Sequence, residues 1–219
     1  MSDKKKLIAA AVMNIIIFLS TTGIMISYFL GNEGEYHILP MQRFWLFTTD
    51  SNILCAVTSL IAAISEMRIL LGKSEKIPAA AAVLKYMGTV AVLLTFTVVM
   101  CFLGPTMGYV EMLFSGTSVY MHLLGPVMAF VSLVFFENGI VLKKRMIPLG
   151  ALSVFIYGIV YVTMVIFIGE ANGGWMDFYG FNIGGFWYIS FATITLVSVG
   201  IAAIVRLAYN RSGKKKTGK

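Results

Sequence analysis

Residues 79–103 read AAAAVLKYMGTVAVLLTFTVVMCFL, an apolar run in which Lys85 is the one charged residue. A helix needs about 20 predominantly apolar residues to cross the hydrocarbon core of a bilayer, so this run predicts a membrane-spanning helix. Similar runs lie on both sides of it, at about 7–30, 41–66, 118–141, 147–168 and 183–208. The sequence therefore predicts an all-α, six-transmembrane-helix bundle that forms one membrane domain over residues 1–219.

The composition supports this class. Hydrophobic residues make up 58% of the 219 residues and charged residues only 12%, whereas a soluble domain carries about 25% charged residues. A transmembrane β-barrel would show short segments of alternating polarity, and the chain has none. The predicted connecting segments are short, so we expect neighbouring helices to be antiparallel and no separate soluble domain.

Basic residues lie at alternate ends of the predicted spans. They are Lys4, Lys5, Lys6, Arg68, Lys73, Lys76, Lys143, Lys144, Arg145, Arg206, Arg211, Lys214, Lys215, Lys216 and Lys219. The positive-inside rule then places both termini in the cytoplasm of a multi-pass protein of the plasma membrane. The clusters are short and divided among loops, so they indicate contact with membrane lipids and not with nucleic acid. Lys85 is expected to extend its ammonium group to the cytoplasmic interface.

The second predicted span contains the polar stretch FTTDSN at residues 47–52. Polar side chains at membrane depth are costly unless they are paired, so this stretch is a candidate functional site. Helical spacing puts Thr48, Ser51 and Asn52 on one face. Asp50 points elsewhere and requires a partner, for which a bridge to Arg43 through water or a neighbouring span is the expectation.

His122 lies in the fourth predicted span, at about the same depth as Thr48. Pro126 has no N–H, so the carbonyl of His122 should lose its hydrogen-bond donor, and a kink with a pocket beside the imidazole is expected. A histidine within reach of a threonine hydroxyl can activate it as a nucleophile. Thr49 is the rival nucleophile. Asn52, Ser51 and Thr49 are candidate oxyanion or positioning groups, and Asp50 and Glu111 are candidate acids to orient the imidazole.

Two alternatives to catalysis remain open at this stage. The polar groups could simply bond across helices, or they could recognise a bound lipid, a small amphiphile or a transported solute. The aromatic loop 169–181 could be an interfacial anchor or a lid, with Trp175, Asp177 and Tyr179 at the pocket rim. The other histidine, His37, has no ligand-spaced partner, so neither a metal nor an organic cofactor is expected.

The segment Trp45–Asn52, the segment MHLLGP at residues 121–126 and the aromatic loop around residues 175–181 resemble one family. It is the androgen-induced gene / androgen-dependent TFPI-regulating protein family of membrane threonine hydrolases, and the likeness is to its small bacterial members. The resemblance implies hydrolysis of fatty acid esters of hydroxy fatty acids by an intramembrane threonine and histidine. On this sequence those positions fall on Thr48 and His122, and the substrate would be a lipid-like ester.

Overall fold

A computed structural model describes residues 3–30, 40–137 and 139–217. Six helices in this part are long and apolar enough to cross a membrane. They are α1 (Asp3–Phe29), α2 (Phe47–Leu70), α3 (Ala79–Met107), α4 (Val119–Phe136), α5 (Lys144–Ile168) and α6 (Trp187–Gly213). The described residues contain no β-strand, so the predicted all-α six-helix bundle is confirmed. His37 lies outside the described residues.

The six helices alternate in direction, which gives the bundle two chemically different ends. One end carries the start of α1 and the end of α6, and we call it the terminal end; the sequence predicts that it is cytoplasmic. The other end carries the connections before α2, between α3 and α4, and between α5 and α6, and we call it the loop end. A short helix, Tyr109–Phe114, lies in the connection between α3 and α4.

Local chemistry sets the helix bounds that the hydropathy pattern missed. Residues Pro40–Trp45 form a tight 3₁₀ segment, so α2 begins at Phe47 and not near residue 41. Gly184 and Gly185 have positive φ angles of 64° and 81°, a conformation open to glycine but not to a continuing helix. For this reason α6 begins at Trp187 instead of residue 183.

Helix α3 lies at the centre of the bundle, where it contacts α2, α4, α5 and α6. Gly88 permits a close contact with α2, because an added Cβ would meet the Thr58 hydroxyl and lie 3.0 Å from the Cα of Cys55. Small residues allow membrane helices to approach in this way. On another face of α3, the Tyr86 hydroxyl donates to the Ala202 carbonyl of α6 at 2.7 Å. Helix α3 therefore fixes the position of its neighbours.

Helix α4 is widened to a π-helical turn at both ends, over Val119–Leu124 and Ser132–Phe136. In a π-turn each N–H bonds the carbonyl five residues earlier, as Gly125 does with Tyr120. Turns of this kind are rare in helices and often occur at functional sites. Both of the polar centres described next include residues from these turns.

Candidate functional sites

The first polar centre lies at the loop end, where the polar stretch of α2 points towards three different neighbours. The Ser51 hydroxyl lies 2.9 Å from the Thr95 hydroxyl of α3, and it also donates to the Thr48 carbonyl at 3.1 Å. Thr49 is buried, whereas Thr48 remains partly exposed. The Thr48 side chain interacts with the phenol of Tyr179 from the loop before α6. The stretch therefore connects α2 to both α3 and this loop.

Asn52 connects α2 to α4 by its side-chain amide. Its Nδ2 donates to the Thr48 carbonyl at 2.8 Å and to the Met121 carbonyl at 3.1 Å. The Met121 acceptor is free because of the π-turn: in this register the missing N–H of Pro126 is the one that Met121 would have received. The prediction assigned the free carbonyl to His122, one residue too late. Both Nδ2 hydrogens are used in these two bonds, which agree with the positioning role predicted for Asn52; the oxyanion role stays a prediction.

His122 is held by the backbone of the short helix Tyr109–Phe114. Its Nδ1 lies 2.6 Å from the Met112 carbonyl, and a carbonyl can only accept, so Nδ1 carries the proton in this contact. In a neutral imidazole Nε2 is then the unprotonated nitrogen, the form that a general base requires. The Met112 carbonyl occupies the position that was expected for Asp50 or Glu111.

The structure does not join the two predicted catalytic side chains directly. Within the described residues, no hydrogen bond links the Thr48 hydroxyl to the His122 ring. The structure nevertheless holds the backbone of Thr48 close to that of Met121, the residue before His122. Their carbonyl oxygens share one donor and lie no more than about 6 Å apart. Residues 48 and 122 therefore belong to one polar centre at the loop end.

The charged residues near this centre are arranged differently from the expectation. The guanidinium carbon of Arg43 lies 4.1 Å from the centre of the Tyr28 ring, a cation–π contact, and Arg43 is buried. Across residues 40–137 and the other described ranges, the Asp50 carboxylate has neither an ion pair nor a hydrogen bond; it interacts electrostatically with Tyr157. Glu111 is exposed and accepts from the Ser115 hydroxyl. The expected water or helix bridge between Arg43 and Asp50 stays a prediction.

The loop before α6 packs over the start of α2. The rings of Trp45 and Trp175 are stacked with centres 5.5 Å apart. Asp177 holds the loop in shape: its carboxylate accepts from the Tyr161 hydroxyl at 2.9 Å and from the N–H groups of residues 181 and 182 at 2.8 and 2.7 Å. Asp177 is thus engaged with the loop backbone and with α5, and among the three predicted rim residues Tyr179 is the one that faces the polar stretch.

Tyr179 is a hydrogen-bonding neighbour of the polar stretch, although the sequence predicted it only as a residue of the pocket rim. Its phenol oxygen accepts from the Phe47 N–H at 3.0 Å. Burial is the main cause that raises the pKa of Tyr179 to about 12, so the phenol keeps its proton at neutral pH. The phenol is also hydrogen-bonded to the side chains of Tyr157 and Thr48.

The second polar centre lies towards the terminal end and was missed at the sequence level. Asn14, in the middle of α1, donates from Nδ2 to both carboxylate oxygens of Glu66 at 3.3 and 3.2 Å and to Glu137 at 3.0 Å. The Ser132 hydroxyl donates to the same Glu137 oxygen at 2.6 Å. All four residues are buried, with Asn14 and Glu66 each 0% exposed. We call Glu66 and Glu137 the carboxylate pair.

Lys85 belongs to this second centre, which contradicts the expectation that it reaches the interface. It is 0% exposed, and its ammonium group donates to the Ser59 hydroxyl of α2 at 2.7 Å. The Glu66 carboxylate also lies within electrostatic range of this ammonium group. A polar partner on the adjacent helix removes the need for the side chain to extend to water. Ionisable groups are therefore buried both at the loop end and towards the terminal end of the bundle.

No family model, no curated protein and no solved structure matches this chain. Within the described ranges, no group of three or more His, Cys, Asp or Glu side chains is placed to hold a metal ion. The fold is therefore known from the six helices of the structure, and the two polar centres are the features of the molecule that bear on its function.

Proposed function

We propose that the protein is an intramembrane hydrolase of lipid-like esters, with Thr48 as the nucleophile and His122 as the general base. The observation that carries the proposal is the Asn52 amide, which bonds the backbone of Thr48 and the backbone next to His122 with one nitrogen. Such a link keeps two catalytic helices at a fixed separation, and fixed positions contribute strongly to rate. The sequence resemblance to fatty acid ester hydrolases supports the same pair.

In the proposed reaction, Nε2 of His122 accepts the proton of the Thr48 hydroxyl while the hydroxyl oxygen attacks the ester carbonyl. The leaving alkoxide takes that proton back from His122, which gives an alcohol and an acyl ester of Thr48. A water molecule, deprotonated by the same nitrogen, then releases the fatty acid and restores the threonine. Tyr179 lies beside Thr48 and keeps its phenol proton, so it stabilises the negative charge on the carbonyl oxygen when its O–H turns from Tyr157 towards the substrate.

A fluorophosphonate probe tests the nucleophile, since an activated hydroxyl group displaces its fluoride to form a phosphonate ester and the modified residue can be identified by mass spectrometry. We expect labelling at Thr48 in the wild type, no labelling in Thr48→Ala and weak labelling in His122→Ala. Thr49→Ala is the matched control, because Thr49 is the adjacent hydroxyl and is buried. Equal labelling of wild type and Thr48→Ala would remove Thr48 as nucleophile.

A second candidate function is binding or transport of a lipid or small amphiphile without catalysis. The observation that favours it is the second polar centre, because carboxylates and an ammonium group buried at membrane depth commonly mark ion and solute pathways. The probe experiment separates the two candidates: a protein that binds or transports its lipid gives no covalent adduct at Thr48.

A further inference from the structure

The carboxylate pair is surrounded by few hydrogen-bond donors in the described residues. Glu66 and Glu137 present four carboxylate oxygens, while Asn14 supplies two hydrogens and Ser132 supplies one. The Oδ1 atom of Asn14 is also buried and has no donor within the described residues. Buried acceptors without donors are costly, and native proteins rarely keep them. A hydrogen on one of the neighbouring carboxylate oxygens would supply the donor that Oδ1 of Asn14 lacks.

The charge of the cluster points in the same direction. The two carboxylates accept from one nitrogen, so their nearest oxygens lie no more than about 6 Å apart in a buried site. Two like charges that close disfavour simultaneous ionisation. The other titratable groups that face the pair are Lys85 from α3, which contributes one positive charge, and the neutral groups Cys55 of α2 and Tyr209 of α6. One positive charge is therefore lacking for neutrality.

The geometry favours a proton over a metal ion as the missing charge. The point at which both carboxylates converge is occupied by Nδ2 of Asn14, a hydrogen-bond donor that cannot ligate a cation. A proton needs no coordination shell and can reside on an oxygen of either glutamate.

A water-accessible cavity lies near this site, although neither glutamate is among its lining residues. The cavity lies at the terminal end, has a volume of about 1310 Å³ and is lined in part by Leu7, Ile69, Phe136 and Tyr209. Phe136 directly precedes Glu137, and Ile69 lies one helical turn beyond Glu66. The cavity thus approaches the pair to within about one turn from the side that the basic residues predict to be cytoplasmic.

We propose that Glu66 and Glu137, bridged by Asn14, form a proton-binding site that exchanges one proton with the aqueous phase at the terminal end. This site is separate from the proposed ester hydrolysis and has a different ligand. It gives the protein a protonation state that responds to the pH on the side of its termini.

Infrared difference spectroscopy of the protein in lipid nanodiscs tests the site, with the pH changed between about 5 and about 9. We expect one protonated-carboxyl C=O band per chain to appear on acidification. The band should be lost in Glu66→Gln and also in Glu137→Gln, because the remaining carboxylate is then balanced by Lys85. Glu75→Gln is the matched control: this carboxylate lines the same cavity but is exposed, and its removal should leave the band unchanged.

A second measurement on the wild type covers the case in which the variants do not fold. Hydrophobic carbodiimides modify protonated carboxyl groups in membranes, and we expect mass spectrometry to find the adduct on Glu66 or Glu137, formed faster at acidic pH. Absence of both the band and the adduct in the wild type would overturn the proposal. The proposal would also be overturned if the band disappeared when sodium replaced an organic cation at constant pH. In that case a metal ion, and not a proton, would be the ligand.

Discussion

The Asn52→Leu substitution removes the amide that links α2 to α4 while it keeps a side chain of similar size. Hydrogen bonds between membrane helices contribute about 0.6 kcal/mol on average and at most about 1.7 kcal/mol. The Thr48 carbonyl keeps the Ser51 hydroxyl as a donor at 3.1 Å, so its loss is small. The Met121 carbonyl keeps none, and a buried acceptor without a donor costs about 1–3 kcal/mol. We expect Asn52→Leu to lower the free energy of unfolding by about 2 kcal/mol.

The cause of that loss can be isolated with Pro126. Pro126→Ala restores the N–H that the π-turn directs at the Met121 carbonyl, so in this background Asn52→Leu should cost about 1 kcal/mol less. Packing changes common to both backgrounds cancel in this double-mutant cycle. Unfolding in mixed micelles can be followed by tryptophan fluorescence, because the stacked Trp45 and Trp175 report on the loop end.

Pro105 provides the control for this cycle. The π-turn Val99–Leu103 of α3 is followed by Gly104 and Pro105 in the same order, and Pro105 is exposed and lies on a different helix from Met121. Pro105→Ala should therefore show no coupling to Asn52→Leu. An Asn52→Leu cost that is the same in the wild type and in Pro126→Ala would refute the argument that Asn52 replaces the donor missing at the proline.

Three other substitutions test the packing and the charges. Gly88→Ala should destabilise the bundle by about 1–3 kcal/mol because its Cβ meets α2, whereas Gly23→Ala, with open space around it, should be neutral in the same unfolding assay. Lys85→Met should cost about 3 kcal/mol, and less in a Glu66→Gln background, because it leaves buried negative charge unbalanced; equal costs would contradict this. Asp177→Ala removes three hydrogen bonds and should accelerate proteolysis within residues 169–186; an unchanged cleavage rate would mean that other contacts hold the loop.

The fold could be predicted from the sequence because crossing a bilayer imposes one dominant requirement, a long apolar helix, which hydropathy measures directly. The helix ends were predicted less accurately because local backbone chemistry determines them. Pro40 begins a 3₁₀ segment ahead of α2, and the positive φ angles of Gly184 and Gly185 delay the start of α6. These effects involve a few residues each and leave the average polarity of a segment unchanged.

The polar stretch at the loop end was recognisable because its side chains are consecutive and interrupt an apolar run. The carboxylate pair was not, because Glu66 and Glu137 lie near the ends of their spans, where a charged group normally faces water. Whether such a group turns inward depends on the helix beside it, and here that is Asn14 of α1. A usable signal was present: Asn14 and Lys85 are isolated polar residues in apolar runs at a similar distance from the terminal end.

Helix α2 carries residues of both polar centres, and their separation along it makes them independent. Asn52 and Glu66 are 14 positions apart in the sequence, or about 21 Å along the helix axis. The loop-end centre uses neutral hydrogen bonds to α4. The terminal-end centre uses buried charged groups on α2, on α3 and directly after α4, and the amide of Asn14 on α1 bridges its two carboxylates. Sites this far apart without shared partners contribute additively. Loss of the covalent adduct at Thr48 and loss of the carboxyl band at Glu66 are therefore separate readouts, and either proposal can fail while the other holds.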